Sequence, residues 1–425
     1  MKKLIASAGL VTLGAAGLQA AYAPGLSAME TSKPWSIAAS LRGFYDDNYN
    51  NAPSGFKKSS TGFEISPTLK ANLPLEQTFL AAAFRYSMKY YFDRHDNNID
   101  HLVDLTLKAD HRLSERYKIS FDDSFVYSVE PTVIDSGAVS APTLRQNADA
   151  IRNRAALTFR AQVTEVLGAE ASYQNSWYKY LNNDTFAAEL NRFEHLFDLH
   201  GTWQFQEHTV GLFGGQYGIN DYTSDKLLNP SLGAFDPVFN PLGSLTGDSR
   251  DNKVYTLYVG AEHAFSSQLN GTVRVGAEHT SYDKLPGSSW NPYVDLRGTY
   301  TYLPGSYFQL GFTQARNATD VVGQGTAADI VKDVESSTVF ASVNHRITPR
   351  VTGNVLGQYQ RSTFSGGTSF DGKVDQFMLV GVNLEYNINN NWKTEIGYNF
   401  DHLSSDLPNR SFSRNRVYAG VRASF

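Results

Sequence analysis

Strict alternation of apolar and polar residues is the feature of this 425-residue chain that most narrows its folds. The closing stretch "RVYAGVRASF" puts Val417, Ala419, Val421, Ala423 and Phe425 on one parity, with Arg416, Arg422 and Ser424 on the other. A period of two is that of a strand with two unlike faces. The same period returns in about eighteen segments from Trp35 onward. Examples are Trp35-Ile37-Ala39-Leu41, Leu80-Ala82-Phe84-Tyr86-Met88-Tyr90, Ala155-Leu157-Phe159-Ala161-Val163 and Met378-Val380-Val382-Leu384-Tyr386. Each is dyadic and none is helical.

The connections alternate in length. Short ones read "LPLEQ", "LSER", "TEV", "QEH", "SSQ", "LPGS", "ITPR" and "NINNN". Long ones cover residues 46–60, 130–147, 221–250, 316–332, 362–372 and 402–413, with shorter members at 93–98, 181–184 and 284–289. Such spacing predicts an antiparallel meander, tight at one end and extended at the other. In a soluble sandwich the apolar faces would meet across a core. Here the polar face is large, continuous and charged, which suits a barrel whose apolar face meets lipid and whose polar face lines the lumen. The fold class expected is all-β: a transmembrane antiparallel up-and-down β-barrel of about eighteen strands, wide enough to leave an aqueous lumen. Aromatics fall near segment ends, Tyr90, Tyr127 and Trp177 by long loops and Trp203, Tyr300, Tyr302, Tyr386 and Trp392 by short turns, as two interfacial belts require.

The N-terminus carries Lys2 and Lys3, then an uncharged stretch from Leu4 to Leu18, then small residues. That is the layout of a secretory signal peptide at residues 1–20, leaving 21–34 as a short periplasmic segment and 35–425 as the barrel. The chain has no cysteine, which excludes disulfides, thiolate metal sites and a lipidated cysteine anchor. Its net charge of −5, with no basic patch, argues against a nucleic-acid partner.

On these residues the chain resembles a bacterial outer-membrane β-barrel porin. The signal segment, the dyadic strands, the alternating turns and the terminal Phe425 carry the resemblance. It implies an outer-membrane location, contact with outer-membrane lipid and lipopolysaccharide, and a last strand read by the barrel-assembly machinery at Val417, Val421 and Phe425. It also implies a water-filled channel for passive diffusion of small polar or charged solutes; the alternatives are a polysaccharide or secretion export conduit and a structural or adhesive surface barrel. Trimers are common among porins, so a homo-oligomer is compatible with it.

The polar parity supplies the candidate pore lining: Arg85, Lys89, Lys108, Arg152, Arg154, Arg160 and Arg192 with Asp104 from the early strands, then Glu385 and Glu395 from the late ones. A basic-leaning arc near the early strands would then face a more acidic arc from the late ones, and charge patches of this kind filter solutes. The longest connection holds Leu228, Phe235 and Phe239 and is too apolar to wave in water; it either narrows the mouth or makes an oligomer contact. Two strands depart from the pattern. Asp123 falls on the lipid-facing parity, and residues 211–219 fit either parity, which a bulge or a register error would explain.

Enzyme signatures are weak. Neither H-E-x-x-H nor G-x-S-x-G occurs, and "GLFGGQYG" lacks the Lys-Ser/Thr of a phosphate loop, so no catalytic residue, cofactor or resident metal is expected. The stretch "DRHDNNIDH" clusters Asp93, His95, Asp96, Asp100 and His101, which could hold a divalent cation, although a solvated acidic loop accounts for it more simply.

Overall fold

The computed structural model describes residues 34–129, 149–181, 190–225, 246–319, 321 and 330–425. Eighteen strands account for most of them. The first nine are β1 (Trp35–Asp46), β2 (Ser60–Pro74), β3 (Thr78–Tyr91), β4 (Ile99–Arg112), β5 (Tyr117–Ser128), β6 (Ala150–Gln162), β7 (Leu167–Tyr180), β8 (Arg192–Gln206) and β9 (Thr209–Tyr222). The rest are β10 (Asn252–Ala264), β11 (Leu269–Tyr282), β12 (Ser288–Leu303), β13 (Ser306–Asn317), β14 (Asp333–Arg346), β15 (Val351–Ser365), β16 (Val374–Asn387), β17 (Trp392–Ser405) and β18 (Phe412–Ser424). Every strand pairs antiparallel with the next, and β1 pairs with β18, so the sheet closes on itself. The expected signal segment and residues 21–33 lie outside the described residues, as do Leu228, Phe235 and Phe239.

The two parities take opposite faces. On β1, Trp35, Ile37, Leu41 and Tyr45 are exposed while Ser36, Ala38, Ser40, Arg42 and Asp46 are buried. Exposed leucine, valine and phenylalanine continue around the ring at Leu69, Phe84, Leu107, Leu157, Leu199, Leu257, Leu310, Val355 and Val421. Which face is concave follows from side chains that reach over an intervening strand. Arg42 of β1 and Glu395 of β17 both stand opposite Gly420 of β18, and Arg42 Nε donates to Glu395 Oε1 at 2.7 Å. Next-but-one strands come that close only on the inside of a curved sheet.

Glycine makes this bridging general. Tyr418 donates to Asn383 over Gly397 at 3.3 Å, the Phe44 and Tyr91 rings meet over Gly62 at 5.2 Å, and those of Tyr258 and Tyr293 meet over Gly276 at 5.8 Å. A Cβ at Gly397 would lie 2.2 Å from the Tyr418 ring. The large neighbour covers the bare backbone, the aromatic rescue that curved sheets employ.

The two irregular segments resolve differently. Residues 211–219 are continuous with both neighbours, putting Phe213, Tyr217 and Ile219 outward and Leu212, Gln216 and Gly218 inward. The bulges lie elsewhere, at Gln204/Gln206 and Thr301/Leu303. Asp123 does face outward: it stands opposite Leu107 and Ala155 in an unbroken register. Asn153, on the same face of β6, donates to its carboxylate at 2.8 and 3.2 Å. A hydrogen-bonded acid costs less on a lipid-side surface than a bare one.

Several strands run past the ends expected from the sequence: β15 continues to Ser365 and β17 to Ser405. Above the apolar band the wall needs no alternation, so the pattern fades before the pairing does. Small apolar clusters tie the long connections together there, one of Val321, Val331, Val334, Phe364 and Leu407 and another of Ala150, Tyr180 and Leu190. At the other end, Pro304 and Gly305 close a two-residue turn between β12 and β13, with Gly305 at φ 78°. Glycine supplies the positive φ that the turn demands.

Replacing Gly397 by Val should destabilise the barrel by about 1–3 kcal/mol through the clash with Tyr418. The same change at outward Gly357, where an added Cβ meets nothing within 4 Å, should stay within about 0.5 kcal/mol. Urea unfolding in lipid vesicles, read by the folded electrophoretic mobility, measures both.

Candidate functional site

The inner wall is the one surface that concentrates polar chemistry, and its two halves differ. Ladder register puts Arg85, Lys89, Lys108, Arg152, Arg154, Arg160, Arg192 and Asp104 on the inward parity of β3 to β8. Arg85 pairs with Asp104 at 3.0 Å, Lys108 with Asp122 at 3.8 Å and Lys118 with Asp110 at 3.0 Å, and Arg160 pairs with Glu170. Arg154 donates to Gln174 at 2.6 Å. The cations of these four pairs keep 27–34% of their side-chain surface accessible. Arg192 is unlike them: it is 2% exposed, stacked 4.1 Å from the Tyr178 ring centre and paired with Glu194. It props the wall near the loop end instead of facing open lumen.

The late arc is sealed. Glu395 is bound to Arg42, Glu385 to Lys393 at 2.9 Å and Asp401 to Arg416 at 2.7 Å, and Arg414 holds Asp46. Arg42 and Glu395 keep only 7% and 2% of their side-chain surface. The acidic arc expected from Glu385 and Glu395 is therefore a lattice of ion pairs. The candidate lining omitted its cations, Arg42, Lys393, Arg414 and Arg416, although each lies on the inward parity of its strand. For Arg42 and Arg414 the signal was available once β1 and β18 are taken as neighbours, and for Lys393 and Arg416 in the hairpins β16–β17 and β17–β18. Against β3 to β7, by contrast, most of the inner side chains remain half-exposed.

A second inward cluster spans β8 to β12. Asp198 bonds His200 at 2.7 Å and accepts from Tyr258 at 2.9 Å across β9. Arg274 lies 5.5 Å from the Tyr258 ring centre. Charge and aromatic faces alternate there, as they would along a path for polar solutes.

At the loop end a short 3-10 helix (Gly247–Arg250) is held inside the rim. Arg250 is fully buried, stacks on Tyr222 at 4.8 Å and donates to the Thr319 carbonyl at 3.0 Å. Lys284 pairs with Asp248 and, with Thr246, holds that carboxyl below its ordinary range. Asp251 accepts from the Tyr222 amide at 2.8 Å, yet burial, reinforced by Asp221 and Asp248, pushes its carboxyl up to about 6.

The acidic loop stretch does not converge. Asp100 binds Arg94, Asp93 accepts from Thr61, and His101 bonds Tyr86 on the outer face. No grouping of three or more His, Asp or Glu fit for a metal occurs among the described residues. Phe425 is exposed, and its backbone exchanges hydrogen bonds with Ile37 at 2.8 and 3.1 Å, extending the closing pair of strands.

Residues 240–425 match the model of a family described as Putative beta-barrel porin 2. No curated protein matches the chain. Among solved structures it is similar to OccAB4 of Acinetobacter baumannii, at 12% identity over 92% of this chain and 99% of that one, TM-score 0.44. It is also similar to the outer membrane protein OpdK of Pseudomonas aeruginosa, at 10% identity over 92% and 99%, TM-score 0.43. A third is the siderophore receptor PirA of Acinetobacter baumannii, at 10% identity over 92% and 80%, TM-score 0.42.

Two outcomes follow from the pairing. Arg42→Ala should cost about 3–5 kcal/mol in urea unfolding, because it takes the bidentate partner from the buried Glu395, whereas removal of a half-exposed pair such as Lys108 and Asp122 should cost about 0–1 kcal/mol. At the rim, a carboxyl raised to about 6 holds its proton more firmly folded than unfolded. Its contribution is complete below the unfolded pKa near 4 and is lost as pH climbs through about 6. The melting-temperature difference between wild type and Asp251→Asn should therefore change between pH 4 and 7 and stay constant above.

Proposed function

We propose that this chain is an outer-membrane porin whose barrel encloses a water-filled channel for passive diffusion of small polar or charged solutes. One observation carries the reading: a closed ring of eighteen strands with exposed apolar residues outside and ion-paired side chains within. A soluble protein would gain nothing from that inversion, whereas lipid demands it. Barrels of sixteen to eighteen strands are wide enough to keep an aqueous lumen. The porin family match over the second half of the chain supports the same conclusion.

Solutes would travel along β3 to β7, past the half-exposed Arg85, Lys89, Arg152 and Arg154, while the ion-paired late arc serves as a rigid wall. In this reading residues 1–20 direct export, the last strand with Val421 and Phe425 is the assembly signal, and Leu228, Phe235 and Phe239 narrow the mouth.

Refolded protein in a planar bilayer should give discrete conductance steps. A silent but folded barrel would redirect the assignment to a gated export conduit or a structural barrel. In a salt gradient, Arg152→Ser with Arg154→Ser should move the reversal potential toward cation preference, and an unchanged potential would remove these arginines from the filter.

A further inference from the structure

The short-turn half of the outer face is almost free of ionisable side chains. Tyrosines aside, the outward parity of the strands there holds His111 on β4, His263 on β10 and His345 on β14, with no Lys, Arg, Asp or Glu among the described strand residues. Each histidine is the second residue from the short-turn end of its strand. All three are built alike. His111 Nδ1 meets Thr78 Oγ1 at 2.8 Å, His263 Nδ1 meets Thr209 Oγ1 at 2.8 Å and His345 Nδ1 meets the Tyr302 hydroxyl at 2.9 Å. With Nδ1 engaged, each ring is fixed and its Nε2 has no partner among the described residues. At the long-loop end His101 and His195 repeat the device with Tyr86 and Tyr173.

We infer that His111, His263 and His345 bind the phosphates of anionic phospholipid headgroups in the leaflet at the short-turn end. In the tautomer where the hydroxyl donates to Nδ1 the proton sits on Nε2, and the neutral ring then offers a donor away from the barrel. The apolar ring body suits the hydrocarbon edge, as aromatic belts do, and the donor suits the charged layer above it. Complementarity on the strands sets the sign: the outward parity of this half carries no carboxylate, and Glu76, Glu115, Glu165 and Glu207 stand in the short turns beyond it. The three sites lie on strands well separated around the ring and would act as independent clamps on the annular lipid. The inference rests on the membrane placement proposed above but not on channel activity.

The test is native mass spectrometry of the full chain in detergent, titrated with phosphatidylglycerol or phosphatidylcholine. Wild type should retain up to three more phosphatidylglycerol molecules than the variant carrying His111→Phe, His263→Phe and His345→Phe, and each single variant should lose one. Heat-modifiable gel mobility reports folding, and the single variants keep the test decisive if the triple variant misfolds. Thr78→Val should weaken the lipid retained at His111 while leaving that at His263 intact. Equal retention by wild type and folded variants, or equal retention of the two lipids by wild type, would overturn the inference. A barrel that conducts no ions but retains phosphatidylglycerol through these histidines would leave it standing, because conductance reports on the lumen alone.

Discussion

Everything in this molecule depends on the absence of an edge. A strand in hydrocarbon cannot leave a backbone amide or carbonyl unpaired, since no water is there to take it. Pairing β1 with β18 removes the last free edge, over nine residue pairs from Ala38↔Ser424 to Asp46↔Arg416. Once the ring is closed, parity alone decides which side chains see lipid and which see the interior. The exposed leucines and the buried arginines are consequences of the same geometric act.

Closure also sets the character of the interior. A concave wall crowds inward side chains, so long ones must lie over something short, and the inward glycines supply that room. Where guanidinium and carboxylate interlock, as around Arg42, Asp46, Glu395 and Arg414, the wall is dense and charge is spent on structure. Where the basic residues and their partners stay half-exposed, as along β3 to β7, the charge is less completely taken up by the wall. The inner wall thus has one densely paired side and one side where the charged groups stay half-exposed.

Strand number, connectivity and facing were legible in the sequence because period-two alternation and turn length are local signals. Even Asp123 was read on its true parity, and its partner Asn153 supplies what a single strand could not reveal. The outcome for Glu385 and Glu395 was less legible, since their cations stand on other strands, one of them at the opposite end of the chain. The outer histidines are illegible in the sequence for the same reason. Only with ladder register in hand do His111, His263 and His345 fall into one band, each beside a hydroxyl from another strand. Sequence shows what alternates along a strand, whereas pairing between strands appears only after folding.

The seam between β1 and β18 joins the first and last strands, 370 or more residues apart in sequence. Across it Arg42 reaches Glu395 and Arg414 reaches Asp46. A closure slipped by two residues would keep each side chain on its own face, yet would part Arg42 from Glu395 and Arg414 from Asp46. These pairs therefore tie the correct register of the seam to the burial of charge, so that the step at which the ring closes and the pairing of its inner charges are one and the same geometric condition.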